Sequence, residues 1–309
     1  MSYIYNSNGE LISGNVANVV AFGAKGDGVT SDSIAIQTAL DSLKTSGGIL
    51  YFPKGTYLIT TSVVFYSNQV LWFEDGATLL QGADINNLMR AYMESTWTAY
   101  NGVHDCVIHG GTFDGGAYTT ANTLLGIAHA KNIIVENCTF KNGYGHWHDI
   151  EINSSCNVKV INCDFEGARR TGQNGEMLQV DGAASSTNYP WDGFNTDGTA
   201  SKYIDIVGCI FHDCTIAPGI GCHDGTVHNE YIRIHDCIFD GLTSSRGAIN
   251  FAGATNIDIH DNTFNGCTTG VGSAASTYYV HENRFTSVTT AAASGSVVKA
   301  NMVNGSFVA

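Results

Sequence analysis

The 309-residue sequence is poor in charged residues, in proline and in long hydrophobic runs. Only 14% of its residues are charged, against roughly 25% in an average globular protein. It has 3 prolines but 36 glycines. A run of about 18 apolar residues is absent, which argues against a transmembrane helix. Because 43% of the residues are hydrophobic, we expect a turn-rich β protein with a large core and a neutral polar surface.

Basic residues are also scarce. The 14 lysines and arginines face 28 aspartates and glutamates, so the formal net charge is −14. Such a chain repels nucleic-acid phosphates and anionic membranes, and we predict neither as a partner. A neutral or weakly charged substrate fits this charge better.

The sequence lacks the patterns of secretion and of zinc binding. Its start, MSYIYNSNGELISG, has neither a basic n-region nor an apolar h-region, so we predict no signal peptide. The nine cysteines include no CxxC pair, which argues against a zinc site. We predict no cofactor, and Ca²⁺ is not indicated. Unpaired cysteines without a signal peptide favour synthesis in a reducing cell.

An internal repeat is the main feature of the sequence. The pattern is aliphatic-x-aliphatic, two residues, commonly Cys, one residue, then Phe. Its seven phenylalanines are Phe113, Phe140, Phe165, Phe211, Phe239, Phe264 and Phe285. Most lie 21 to 28 residues apart, and the gap of 46 between Phe165 and Phe211 equals one repeat plus an insertion of about twenty residues.

These repeats predict a stack of rungs. One repeat is too short to bury its own apolar face, whereas stacked repeats share a continuous core. The alternation within each repeat has the period of a strand, and strands of successive rungs would lie about 4.8 Å apart in parallel. We therefore predict an all-β fold, a single-stranded parallel β-helix, as one domain over 1–309, with rungs over 49–309 and a loop insertion at about 183–200.

Cysteines hold one position of the repeat in four consecutive rungs. They are Cys138, Cys163, Cys209 and Cys237. We interpret them as an inward ladder of small, half-apolar side chains that fills one turn of the coil.

The segment 1–48 is predicted to end in a short capping helix. Ser31 or Asp32 can cap it. An apolar stripe follows, formed by Ile34, Ile36, Ala39, Leu40 and Leu43. The helix would cover the open end of the β-helix, where strand edges and core are otherwise exposed.

The segment 19–60 carries a family resemblance. FGAKGDGVTSDSIAIQTAL followed by GGILYFPKGTYLI resembles the entry segment of the pectate-lyase superfamily. The resemblance implies a right-handed β-helix of the kind found in pectate lyases, polygalacturonase-like hydrolases and phage tailspike depolymerases. It does not imply one reaction, because this scaffold carries lyases, hydrolases, epimerases and binding modules.

Two enzyme subfamilies fit poorly. DGFNTDGT (192–199) is similar to the Asn-Thr-Asp segment of polygalacturonases, but the Asp-Asp, Gly-His-Gly and Arg-Ile-Lys motifs of that family are missing. A calcium pectate lyase would need an aspartate cluster facing a catalytic Arg or Lys. The pairing of 175–181 with 219–223 more closely resembles β-helix proteins of Gram-positive bacteria and their prophages. That resemblance implies that the protein is located on a phage particle or outside the cell, which it would reach without a signal peptide. The alternative location is the cytoplasm.

A second strand in each rung carries the chemistry. The four clearest examples are DIEIN (149–153), MLQVD (177–181), GIGCH (219–223) and AINFA (248–252). Their second and fourth residues are apolar or Cys and should face inward, so the others should face outward. Stacking then gives one outward column of Glu151, Gln179, Gly221 and Asn250, and another of Asn153, Asp181, His223 and Ala252.

These columns predict a groove that binds sugar. Asp181 and His223 become neighbours, Glu151 lies diagonally from Asp181, and Gly221 leaves a notch. The loops and the insertion would wall the groove, with arginines orienting a carboxylate. The predicted substrate-binding residues are Asp149, Gln179, Asn250, Trp147, His148, Tyr189, Trp191, Asp197, Arg169 and Arg170.

Hydrolysis of a polysaccharide or oligosaccharide is the favoured reaction. A glycosidase needs one protonated and one ionised carboxyl, which Asp181 with Glu151 or Glu176 could supply, with His223 orienting Asp181 or donating a proton. A lyase or uronate epimerase would instead use His223, Tyr189 and an arginine. The third alternative is a non-catalytic phage tail or surface glycan-binding module, for which a homotrimer is the expected assembly.

Overall fold

The chain winds into a right-handed parallel β-helix, as the repeats and the resemblance predict. The structure is a computed structural model that describes residues 15–119, 122–145, 147–172, 174–184, 193–222, 225–272, 278–292 and 297–308. A typical turn of the coil contributes one strand to each of three parallel sheets, here called sheets I, II and III.

The strands of each sheet stack in chain order. Sheet I contains β1 (Val16–Asn18), β3 (Gly48–Phe52), β6 (Gln69–Phe73), β9 (His104–His109), β12 (Lys131–Glu136), β16 (Cys156–Ile161), β20 (Lys202–Val207), β23 (Glu230–His235), β26 (Thr255–His260), β29 (Tyr278–His281) and β32 (Val297–Lys299). Sheet II contains β2 (Asp27–Ser31), β4 (Gly55–Ile59), β7 (Ala77–Gln81), β10 (Thr112–Asp114), β13 (Thr139–Lys141), β17 (Asp164–Glu166), β21 (Ile210–His212), β24 (Ile238–Asp240), β27 (Thr263–Asn265), β30 (Arg284–Thr286), β33 (Asn301–Val303) and β34 (Ser306–Val308).

Sheet III carries the polar strands of interest. It contains β5 (Val63–Phe65), β8 (Asn87–Ala91), β11 (Thr123–Ala128), β15 (Ile150–Asn153), β19 (Leu178–Asp181), β22 (Ile220–Cys222), β25 (Ile249–Phe251), β28 (Thr269–Val271) and β31 (Thr290–Ala292). Two short strands, β14 (Tyr144–Gly145) and β18 (Arg169–Arg170), pair separately in the loops between sheets II and III. The last pair of sheet II, β33 with β34, is antiparallel.

The core is a set of stacked layers. The inward residues predicted for sheet III, such as Ile150 with Ile152 and Leu178 with Val180, are completely buried. The seven repeat phenylalanines form one stack, and successive ring centroids are 4.5 to 5.2 Å apart. Each aromatic pair adds about 0.5–1.5 kcal/mol beyond area burial, so the phenylalanines set the alignment of the rungs.

The turns between sheets I and II explain the recurrent cysteines. A residue with positive φ, such as Asn137 (56°) or Asn162 (51°), opens the turn, because Asn tolerates this conformation better than most residues. The next residue points inward and is Cys in four successive rungs, all buried. Further along, Asn262, Asn283 and Asn301 continue the ladder, each side chain bonding to the next.

The N-terminal helix packs against the first rungs. A 3₁₀ turn (Val19–Phe22) and the helix α1 (Ser33–Ser42) contact each other, and α1 also contacts β1 and β5. Most of the predicted apolar stripe is buried, but Ile34 is 82% exposed, so its inclusion was wrong. It lies two residues before the buried Ile36, which places it on the opposite side of the helix.

Two further details differ from the expected N-terminus. Asp32 precedes α1, but its carboxylate accepts hydrogen bonds from the backbone N–H groups of Lys25 and Gly26 rather than capping the helix. Strands β1 and β2 already pair with β3 and β4, so strands of the coil precede residue 49.

The predicted insertion lies between β19 and β20. Its described C-terminal part folds back over earlier rungs: Asn195 Nδ2 donates to the Trp97 carbonyl. His129, completely buried, contacts both the Ala99 and Asn195 carbonyls. No helix within the described ranges is long and apolar enough to cross a membrane.

Candidate functional site

The outer face of sheet III has the register that the sequence predicts. Glu151 pairs with Gln179, Gln179 with Gly221, and Gly221 with Asn250. In the next column Asn153 pairs with Asp181. His223, Tyr189 and Trp191 lie outside the described residues, so their predicted roles stay predictions.

Two carboxylates and two amides alternate across neighbouring strands. On β15, Asn153 Nδ2 donates to Glu151 Oε1 at 2.8 Å. On β19, Gln179 Nε2 donates to Asp181 Oδ2 at 3.1 Å. Because each carboxylate sits opposite an amide of the adjacent rung, Glu151 and Asp181 occupy one diagonal of a two-by-two array. We call these four residues the polar array.

Two additional donors hold the carboxylates of the polar array. Thr123 Oγ1 donates to Glu151 Oε2 at 2.8 Å, and the Gly182 backbone N–H donates to Asp181 Oδ1 at 2.9 Å. The hydroxyl of Ser201 also donates to the backbone carbonyl of Asp181. The carboxylates are therefore oriented by the rungs themselves, through Thr123 of β11, and by Gly182, which follows β19.

The polar array is buried, whereas the sequence predicted an open groove that is only partly enclosed. Asp181 and Asn153 are completely buried, Gln179 is 2% exposed and Glu151 is 4% exposed. This corrects the prediction of an exposed outward face. The reason is tertiary, because residues outside the strand pattern pack against this face: Thr123 bonds to the Glu151 carboxylate and Ser201 to the Asp181 carbonyl.

Asp149 and Arg170 form a buried ion pair at the edge of this face. Arg170 Nη2 lies 2.6 Å from Asp149 Oδ1, and both side chains are completely buried. Gly143 makes room for the pair, because a Cβ there would lie 2.0 Å from Asp149 Oδ1. Burial raises the pKa of the Asp149 carboxyl, and the Arg170 guanidinium opposes this only in part. Arg170 thus pairs with the Asp149 carboxylate, and its predicted role in substrate binding stays a prediction.

Arg169 has a different position. Its Nη2 donates to the carbonyls of Gly116, Tyr118 and Asn142, and its guanidinium lies over the Tyr144 ring. The expectation that Arg169 orients a carboxylate is therefore wrong. Because side chains alternate along a strand, Arg169 and Arg170 point to opposite sides of β18. Arg169 points toward the carbonyl groups of neighbouring loops.

Glu176 lies beside an arginine that sequence reasoning missed. Arg246 Nη1 is 2.7 Å from Glu176 Oε1, and its Nη2 donates to Asn250 Oδ1 and to the Cys222 carbonyl. His148 Nδ1 bonds to the Glu176 carbonyl at 2.8 Å and lies 3.8 Å from its carboxylate. A signal for Arg246 was present in the sequence. Arg246 lies in the segment before β25, and Arg170 lies in the corresponding segment before β19.

The notch predicted at Gly221 is filled. A Cβ at Gly221 would lie 2.0 Å from the Asn250 carbonyl oxygen and 3.4 Å from Cγ of Glu176. The glycine therefore permits close packing rather than an open subsite, which corrects the prediction. Glu176, completely buried, occupies the space that the sequence assigned to a sugar.

Asp197 and Trp147 lie in the surrounding loops. Asp197 accepts hydrogen bonds from the backbone of Ala99 and from Thr199. Burial raises its pKa, but these bonds outweigh burial, so the pKa of Asp197 lies below its ordinary value. Its carboxylate joins the insertion to an earlier loop, and its predicted contact with substrate stays a prediction. Trp147 is half-buried and precedes His148.

Among the described residues, the cluster whose spacing could hold a metal ion lies apart from the polar array. Asp164, Glu166 and His212 place ligand atoms within 4.8 Å of one another, but they lie on sheet II. His212 already bonds to both Asp164 and Asp213, so these groups form an ion-pair network. The chemistry available at sheet III is that of carboxyl groups, amides, His148 and two arginines.

The fold and the stacked acidic strands define a β-helix protein of the pectate-lyase type. A family model described as "Rhamnogalacturonase A/epimerase, pectate lyase-like" matches residues 16–293. The chain belongs to this family, which confirms the superfamily resemblance found in the sequence.

Relatives and structural neighbours have diverse roles. The chain is 28% identical to the plasmin and fibronectin-binding protein A of Streptococcus pneumoniae, over 80% of this chain and 39% of that protein. It is 25% identical to the pre-neck appendage protein of Bacillus phage phi29, over 88% of this chain and 29% of that protein. The chain thus spans well under half the length of these relatives.

Solved structures agree on the fold. The surface adhesin PfbA of Streptococcus pneumoniae superposes with a TM-score of 0.76 at 23% identity, covering 94% of this chain and 78% of that one. A family 28 exopolygalacturonase of Yersinia enterocolitica gives 0.71 at 17% identity, covering 94% and 61%. At these identities the likeness concerns architecture.

Proposed function

We propose that this protein binds a polysaccharide at the outer face of sheet III and hydrolyses its glycosidic bonds with Glu151 and Asp181. The observation that carries the proposal is the polar array, in which two carboxylates on adjacent rungs are each held by a neighbouring amide. Membership of a pectate-lyase-like family supports the substrate class.

The register supports an inverting mechanism. Adjacent strands are about 4.8 Å apart and two residues along a strand span about 6.6 Å, so the diagonal between the two Cα atoms is about 8 Å. Both side chains leave the same face of the sheet. Carboxyl groups held at about this Cα separation match inverting glycosidases, whose carboxyls lie roughly 6.5–9.5 Å apart, better than retaining enzymes, whose carboxyls lie about 5–5.5 Å apart.

The hydrogen bonds suggest how the two roles divide. Asp181 accepts from the Gln179 side-chain N–H and from a backbone N–H, and both donors favour the ionised form that a general base needs. Glu151 accepts from Asn153 and also from Thr123 Oγ1, and a hydroxyl, unlike an N–H, can also accept the proton of a neutral carboxyl. We assign Glu151 as general acid, and we retain His223 as the predicted partner of Asp181.

Substrate entry requires movement of the covering chain. Asp181 is completely buried and Glu151 almost so. We propose that substrate binding displaces the chain that buries these two carboxylates, and that its return excludes water other than the nucleophile, as closing loops do in many enzymes.

Glycan binding without turnover is the second candidate. The burial of both carboxylates favours this second candidate, because a buried carboxylate can have a purely structural role. The similarity to an adhesin and to phage appendage proteins supports the same setting, on a cell surface or a phage particle. The expected homotrimer stays a prediction.

Isosteric substitution of the two carboxyls distinguishes these candidates. Glu151→Gln and Asp181→Asn should each lower the rate of reducing-end release from a polysaccharide panel by roughly 10²–10⁴-fold, the usual contribution of an acid or base. Asp164→Asn, a half-exposed carboxylate of sheet II, is the matched control and should keep full activity.

The products identify the reaction. Reducing ends without the ultraviolet absorbance of an unsaturated uronate indicate hydrolysis, and the anomer released, measured by NMR, should be inverted. Absorbing products would show a lyase instead. Binding without turnover in the unsubstituted chain would leave only the second candidate.

A further inference from the structure

We propose that the outer face of sheet I is a second binding surface, which takes a segment of neutral polysaccharide. The surface is a groove with a volume of about 540 Å³, within the range of roughly 300–1,000 Å³ found for ligand sites. Its principal lining residues are Lys159, Tyr203, Asp205, Tyr231, Arg233 and Tyr279. We call it the tyrosine groove.

The tyrosine groove crosses five strands, from β16 to β29. At about 4.8 Å per strand its floor is about 19 Å long. An extended glycan lying along the coil would therefore cross several rungs and contact side chains of each. This length favours a polymer segment over a single small ligand.

Two tyrosines stand where the coil elsewhere uses asparagine or aspartate. The same position of each sheet I strand has positive φ in six consecutive rungs, and its residues are Asp105, Asn132, Asn157, Tyr203, Tyr231 and Asn256. Tyr203 and Tyr231 both have φ 57°, a conformation that disfavours bulky side chains. The chain thus tolerates local strain to hold two rings here, which points to a use for them.

The two rings are positioned to stack on a ligand. They stack on each other with centroids 5.0 Å apart and planes 8° apart. The column places the shorter Asn157 before Tyr203 and Asn256 after Tyr231, so the outer face of each ring is not covered by another ring. Tyr203 is 56% exposed and Tyr231 is 45% exposed. Because the stacked rings lie across the coil axis, a glycan along the coil would contact the edges of both rings and pack a C–H face on the outer face at either end of the pair.

The charges of the groove favour a neutral ligand. Lys159 and Arg233 alternate with Asp205 and Asp258 along the floor, and Arg233 pairs with Asp205 at 2.8 Å. The two positive and two negative charges balance, while the whole chain carries −14. A polyanion would be repelled at long range, whereas hydroxyl groups can use both donors and acceptors on this floor.

The tyrosine groove is independent of the polar array. The groove lies on sheet I and the polar array on sheet III, so the two faces point in different directions from the coil. The groove would hold the polymer near the protein whether or not sheet III is catalytic, and the inference therefore goes beyond the proposed hydrolysis.

Asparagine substitution gives a sharp test. Tyr203→Asn with Tyr231→Asn restores the residue type that Asn132, Asn157 and Asn256 have at this position, so the variant should fold at least as stably as the parent. In affinity gels that contain soluble neutral glucan, mannan or galactan, the parent should be retarded by at least one polymer. The double variant should bind that polymer roughly tenfold or more weakly, the loss of stacking on two rings.

The matched control is Ile210→Asn with Ile238→Asn. These isoleucines are 38% and 39% exposed and pair with each other on sheet II, in the same two rungs as the tyrosines. This variant should keep full retardation. Release of reducing ends from short oligosaccharides should be equal in all three proteins, which separates this test from that of the polar array.

Three results would overturn the inference. The first is a parent chain that no neutral polymer retards, and the second is undiminished binding by the tyrosine variant. The third is a self-associated parent in sedimentation velocity that the tyrosine variant converts to monomer, because the face would then be an interface between copies.

Discussion

At the scale of single residues, several side chains that were predicted to bind substrate are buried and pair with other side chains of the protein instead. Asp149 and Arg170 are both completely buried and 2.6 Å apart. Glu176 is held between Arg246 and His148. A buried charge without its partner is costly, so these pairs constrain the loops that carry them.

Removing Arg170 should therefore be strongly destabilising. Arg170→Met leaves the Asp149 charge buried alone and should lower the free energy of unfolding by about 3–5 kcal/mol. Lys141→Met is the control, because Lys141 and Asp114 form a more exposed pair with atoms 3.7 Å apart, and such pairs contribute about 0–1 kcal/mol. Urea denaturation at neutral pH measures both.

Lowering the pH should reduce the loss in free energy of unfolding, here called the deficit, that Arg170→Met causes. The pKa of Asp149 in the folded chain lies above its ordinary value of 3.8, so the folded state binds a proton that the unfolded state releases. The contribution of Asp149 to the free energy of unfolding thus rises as the pH falls through its folded-state pKa toward 3.8. Without Arg170 the pKa rises further. A deficit that is unchanged at about pH 5 would contradict this account.

At the scale of elements, the turns between sheets I and II decide the cysteine chemistry. All nine cysteines are free thiols, eight of them buried. The four ladder cysteines are at most 1% exposed, and burial raises the pKa of Cys163 and Cys237. Since the reactive form is an accessible thiolate, we interpret the ladder as structural.

Thiol titration checks this interpretation. In the native protein at mildly alkaline pH, at most Cys156, which is half-buried, should react with a disulfide reagent within minutes. All nine thiols should react after unfolding in urea. Rapid reaction of several thiols in the native chain would show that the turns open, and would reject a purely structural ladder.

At the scale of the whole molecule, the coil is a one-dimensional stack in which each rung contacts its neighbours. The helix α1 lies at one end, with Leu40 completely buried and Ile34 exposed. Damage to this helix should therefore remain local, because the stabilising contacts of distant rungs do not include it.

Leu40→Ala tests that locality. The cavity should lower stability by about 2–5 kcal/mol, and amide hydrogen exchange should accelerate in β1, β3 and β5 while β26 and β29 keep their protection. Ile34→Ala on the exposed side of the same helix should change neither. Acceleration along the entire coil would mean that the molecule unfolds as one unit.

The sequence by itself determined the coil. The phenylalanine repeat, the cysteine position and the alternation in DIEIN and MLQVD specified the rungs, their inward residues and the pairing of Glu151 with Gln179. These properties are local, because a strand period and a repeat length can be counted along the chain.

The tertiary structure alone decided how the outer face of sheet III is covered. Asp181 is completely buried, the Asn250 carbonyl and Glu176 close the space at Gly221, and Arg246 reaches the Glu176 carboxylate across 70 residues. The period of a strand states which side a residue faces, but not whether water reaches that side. Solvent access depends on where separate loops meet, and no local pattern encodes those contacts.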